Sequence, residues 1–105
     1  MRERDIEKHL VQRVKELGGE VRKVKWIGRR GAPDRLVMLP ERYTSCCDAD
    51  PAQTIWVELK ATGVAAEDYQ IREHERMRAM GQRVVVIDSI EGVEALLIAA
   101  RGNAE

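Results

Sequence analysis

Gly31-Ala-Pro-Asp-Arg-Leu-Val-Met-Leu-Pro40 and, after a polar interval, Thr54-Ile-Trp-Val-Glu-Leu-Lys60 are the segments on which the reading of this chain turns. Each is a short apolar run carrying charge where a buried strand would carry none. Asp34 opens the first, and Glu58 and Lys60 close the second. Residues two apart on a strand share a face, so Glu58 and Lys60 point one way and Leu59 the other. Two carboxylates and an ammonium on neighbouring strands make a compact acidic site that a divalent cation could neutralise.

Working outward, Asp5 to Leu17 reads as a helix, with Ile6, Leu10, Val11, Val14 and Leu17 at helical spacing and Gly18-Gly19 ending it. Glu3 and Glu7 fall on or beside this apolar stripe. Glu3, at the terminus, is expected to fray or to favour the positive helix end, whereas Glu7 is better embedded and the stronger site candidate. Glu20 to Ile27 reads as a first strand and Gly28 to Gly31 as a turn. Asp34 to Leu39 reads as a second strand, entered from a stiff Ala-Pro step and closed by Pro40. The polar stretch Glu41 to Gln53 reads as a loop or hairpin tip. Thr54 to Lys60 is the third strand, rich in β-favouring residues.

Glu67 or Asp68 starts a second helix running to Met80, with Gln70, His74 and Met77 on one face. His74 is expected to be a half-buried packing residue. Gln82 to Ile87 contains Val84-Val-Val-Ile87, a run expected of a strand buried on both faces. Asp88-Ser89 caps a last helix, Ile90 to Ala100, with Val93, Leu96 and Leu97 inward. The order α-β-β-β-α-β-α is that of an α/β fold, a mixed β-sheet flanked by helices.

At 105 residues the chain is expected to be one domain, 1–105. No apolar run approaches the length of a membrane span, and the N-terminus leads into an amphipathic helix with no signal-peptide core. These features imply a cytoplasmic protein with no membrane partner. Eighteen basic and eighteen acidic residues cancel, so bulk charge does not advertise a nucleic-acid binder. The distribution does more, because Arg22, Lys23, Lys25, Arg29, Arg30 and Arg35 crowd one stretch with Asp34 as its only acid. A solvated hairpin face accounts for such a run; beside an acidic metal site it also suits a polyanion. Cys46 and Cys47 are adjacent, lack further ligands at metal spacing, and receive no role.

Phosphodiester cleavage needs an activated water, a counter-charge for phosphoryl oxygens and help for the leaving oxygen. Carboxylate-bound Mg²⁺ or Mn²⁺ supplies all three. Asp34 and Glu58 are the candidate ligands, Glu7 completes the acidic cluster, and the Leu59 carbonyl could reach the ion. Lys60 could orient or deprotonate the attacking water. Taken singly, these residues fit an edge-strand salt bridge equally well; their order along the chain favours the site.

Gly31-Ala-Pro-Asp34 followed by Val57-Glu-Leu-Lys60 resembles the PD-(D/E)XK nuclease signature. Gln70, Met80-Gly81 and the following valine strand are similar to its virus-type replication-repair nuclease (VRR-NUC) branch, in its stand-alone phage or bacterial type. The first helix also resembles that of archaeal Holliday-junction resolvases, where the spacing fits Glu7 and not Glu3. The resemblance covers roughly Glu7 to Ser89. It implies a restriction-endonuclease-like fold, metal ligation by Asp34 and Glu58, a catalytic Lys60, metal or water contact through Glu7, and a supporting Gln70. The 41–53 loop departs from the pattern by its length.

The function expected is a metal-dependent, structure-selective DNA endonuclease, a Holliday-junction resolvase acting as a homodimer on branched, four-way DNA. Its basic segment would bind the flanking phosphates. Trp26, Ile27 and the last helix are the expected dimer face. The rivals are a nuclease directed to flaps, nicks or ends, and a non-catalytic DNA-binding module. The presence of Asp34, Glu58 and Lys60 together weighs against the last.

Overall fold

The computed structural model describes residues 1–40 and 54–101. The expected 41–53 loop and both cysteines lie outside the described residues. Among the described residues seven elements follow in the order α-β-β-β-α-β-α: α1 (Glu3–Glu16), β1 (Glu20–Lys23), β2 (Arg35–Met38), β3 (Thr54–Leu59), α2 (Asp68–Ala79), β4 (Val84–Ile87) and α3 (Ile90–Arg101). The four strands form one sheet in the order β1-β2-β3-β4. Its first two pairings are antiparallel and the third is parallel. A parallel neighbour needs a long crossover connection, which α2 supplies between β3 and β4.

One sheet face is dry. Val37, Ile55, Val57, Leu59 and Ile87 meet Ile6, Leu10 and Val14 of α1 and Val93, Leu96, Leu97 and Ala100 of α3 in a single buried cluster. The helical stripe and the odd-numbered strand positions are thus two halves of one core. Ser89 caps α3 by accepting the Gly92 N–H at 2.9 Å. On the opposite face, α2 lays His74 and Met77 against the sheet, both buried. Beside them Trp26 tilts against Trp56 with ring centroids 5.1 Å apart.

Three sequence expectations change. Strand β1 ends at Lys23, short of Ile27. One further ladder bond follows, Val24 N–H to the Asp34 carbonyl at 2.9 Å. The chain then turns so that Trp26 Nε1 donates to the Pro33 carbonyl at 2.8 Å. Among the described residues strand β4 lies at the sheet edge and is not buried on both faces: Val86 is 42% exposed, because α2 covers only part of that side. His74 is fully enclosed, not half-buried, at 1% exposure. Among the described residues no helix is long and apolar enough to cross a membrane.

The turn before Asp34 is held against α2. Gly31 has φ +90°, and a Cβ there would stand 2.9 Å from the Tyr69 carbonyl oxygen and 3.2 Å from the Gln70 Cα. Gly28 has φ +75° but open space around it. Both positions need the left-handed region, and only Gly31 also needs the missing side chain. Gly28→Ala is expected to cost about 1 kcal/mol and Gly31→Ala about 2 kcal/mol or more in urea denaturation. Equal losses would show that the approach to α2 contributes nothing.

Candidate active site

The register carries the two carboxylates to one another. Arg35 pairs with Val57 across β2 and β3, so one further step sets Asp34 level with Glu58. Facing positions on antiparallel strands hold their Cβ atoms about 5 Å apart on one face. The next step sets Leu59 level with Pro33. Proline has no N–H to offer the ladder, so nothing from that position claims the Leu59 carbonyl.

Glu58 is the most perturbed acid of the site. Its side chain is 12% exposed. Burial pushes its carboxyl up to about 7; nearby Lys60 works against the shift, Asp34 and Glu3 add to it, and Arg35 opposes it. Gln70 Nε2 donates to Glu58 Oε2 at 3.4 Å, while Gln70 Oε1 accepts the Glu67 N–H at 2.8 Å. The expected supporting glutamine therefore has two tasks, fixing the start of α2 and touching Glu58. His74 Nε2 lies 3.6 Å from the other oxygen, Oε1.

Asp34 is 60% exposed at its side chain, and its Oδ1 pairs with Arg35 Nη1 at 2.8 Å. Arg35 also donates through Nε to Glu7 Oε2. The Arg35 side chain is only 10% exposed. It binds two site carboxylates from within and is not a surface cation like its neighbours in the basic stretch. Glu7 is accordingly engaged with Arg35. Glu3 has the other setting. It opens α1 as a helical residue, and the Thr62 N–H donates to the Met1 carbonyl at 3.0 Å, tying this helix end beside the end of β3. Its charge is felt at Glu58. The sequence missed this because nothing local signals that the chain after β3 returns to the N-terminus.

Lys60 continues the β3 line, its N–H donating to the Ile87 carbonyl at 2.9 Å. Of the remaining basic residues, Arg22 pairs with Glu20, Arg29 with Glu73 at 3.3 Å, and Arg30 lies 4.0 Å over the Tyr69 ring. Lys23 and Lys25 are exposed and form no ion pair among the described residues.

The donor set suits a hard divalent cation. A carboxylate raised by its burial, with Asp34 and Glu3 adding to the shift, is relieved by positive charge, and beside it stands the Leu59 carbonyl, to which Pro33 offers no N–H. As the side chains stand, no three His, Cys, Asp or Glu groups among the described residues converge closely enough to hold an ion. Arg35 occupies the place of counter-charge for Asp34 and Glu7.

No family model matches the chain. It is 46% identical over 89 residues to "Putative nuclease p44" of Acyrthosiphon pisum secondary endosymbiont phage 1, an alignment covering 85% of each. A solved structure described as "VRR_NUC domain" superposes with a TM-score of 0.74 at 36% identity, covering 91% of this chain and 94% of the other.

The perturbed Glu58 gives stability a definite pH dependence. A carboxyl at about 7 folded against 4.5 unfolded binds more protons in the folded state between those values. Stability in chelator should therefore fall as pH rises through that window, by about 3 kcal/mol in all. Glu58→Gln should flatten the slope and unfold at higher temperature than the parent at pH 8. A slope that survives the substitution would assign it to another group.

Proposed function

The chain belongs to the VRR-NUC family of nucleases, and from that premise we propose that it is a Mg²⁺- or Mn²⁺-dependent endonuclease selective for branched DNA, resolving four-way junctions as a homodimer. The observation that carries this reading is the pairing of Asp34 with a buried, destabilised Glu58 across β2 and β3. Such a pair is costly for a structural ion-pair network and suited to a metal site. Asp34, Glu58 and the Leu59 carbonyl would hold the ion. When bound, it lowers the pKa of water and offsets charge on the phosphoryl oxygens.

The remaining tasks fall to the chain's own groups. Lys60, on the same strand face as Glu58, orients the attacking water and takes its proton when neutral. Gln70 keeps the Glu58 carboxylate turned toward the site. Arg35 braces Asp34 against Glu7, so Glu7 acts on the site through that guanidinium, while Glu3 is the helix carboxylate nearest in effect to Glu58. Lys23, Lys25, Arg29 and Arg30 would meet phosphates, giving affinity without sequence information.

Pairing of two copies would place two sites on one junction, since symmetric cutting needs two. Support for an intermolecular face comes from Ile27 at 92% exposure, Ile98 of α3 at 70% and the open edge of β4. A protein acting in phage-infected or bacterial cytoplasm fits this reading.

Cleavage of a panel of mobile four-way junction, flap, nicked and linear DNA with Mg²⁺ or Mn²⁺ should yield paired symmetric nicks in the junction and none in chelator. Preferential flap or end cutting would replace the resolvase reading. Lys60→Ala should lower the cleavage rate by about 10²–10⁴-fold with junction binding retained in gel shift. Retained cutting would remove Lys60 from the chemistry.

A further inference from the structure

Helix α2 offers Glu58 two polar groups one turn apart, and only one makes a hydrogen bond. Gln70 reaches Oε2, whereas His74 Nε2 stops 3.6 Å from Oε1. His74 Nε2 is buried without a hydrogen-bond partner. The ring does bond to the Gly31 backbone. Since Nε2 makes no bond, Nδ1 makes this one, donating its hydrogen to the Gly31 carbonyl. A neutral imidazole has a single ring hydrogen, so Nε2 presents a bare lone pair.

With Glu58 ionised, two acceptors, Nε2 and Oε1, thus converge in an enclosed space. That is an unfavourable arrangement for a purely structural contact and a favourable one for a cation. Two atoms bound to one ion with arms of about 2.1 Å stand roughly 3.0–3.5 Å apart. A ring N–H anchored on a backbone carbonyl is also how metal-binding histidines are oriented.

We propose that His74, through Nε2, is a ligand of the divalent ion alongside Glu58, and that this nitrogen makes the site favour Mn²⁺ over Mg²⁺. The proposal rests on the metal-dependent nuclease reading above. Mg²⁺ takes oxygen ligands and sheds its waters reluctantly, while imidazole nitrogen suits first-row transition metals. Asp34 is freed for the same ion when its carboxylate leaves Arg35, and water or phosphate oxygens fill the other positions.

Pulsed electron paramagnetic resonance of Mn²⁺ bound to the wild-type protein should show coupling to an imidazole ¹⁴N. By calorimetry, His74→Gln should lower Mn²⁺ affinity by about tenfold or more and Mg²⁺ affinity by much less. Mn²⁺ bound by the wild type without nitrogen coupling overturns the histidine ligand and leaves the metal-dependent reading standing. No Mn²⁺ or Mg²⁺ binding by the wild type overturns both. The wild-type spectrum needs no variant, so a folding defect in His74→Gln does not blunt the test.

Discussion

The buried carboxylate of Glu58, set level with Asp34, is the constraint on which the rest of this structure depends. A glutamate on a sheet face beneath a helix is unfavourable in its charged form, and a facing aspartate makes it more so. The surrounding elements read as responses to that one placement. Strand β3 carries it, β2 sets the facing acid, and α2 covers it with Gln70 and His74 instead of apolar side chains. The C-terminal half of the sheet is built around a charge that the core would otherwise exclude.

The bracing around this pair is mostly conventional chemistry. Pro33 withholds a ladder N–H at the level of Leu59, while its own carbonyl is held by Trp26. Gly31 brings the turn within van der Waals distance of α2. Arg35 joins Asp34 to Glu7 of the first helix. These contacts fix the Gly31–Asp34 turn against α1, against α2 and against the chain that follows β1.

Much of this was legible in the chain. Helical spacing in α1 and α3 and the β-rich runs around Val37 and Val57 gave the element order, because the two periods report burial directly. Asp34, Glu58 and Lys60 stood out because charge interrupts apolar strands. Gln70 is reached only through resemblance to a family motif; its side chain lies 3.4 Å from Glu58 Oε2. What escaped reading depends on long-range geometry. The setting of Glu3 follows from the return of Thr62 to Met1, which no local pattern encodes. Arg35 looked like one more member of a basic run, yet its place on the core-facing side of β2 turns it inward. The valine run of β4 looked doubly buried, because a sequence does not say which strand lies at the edge.

The central claim is that Glu58 is held as a destabilised carboxyl that a divalent cation relieves. It is tested most directly by carbon-detected NMR titration of the Glu58 side chain, without metal and with saturating Mg²⁺. The account predicts a midpoint near the value of about 7 in the metal-free protein, and a clear downward displacement when Mg²⁺ is present. A metal-free midpoint at the ordinary glutamate value, or one that Mg²⁺ leaves unchanged, would contradict it.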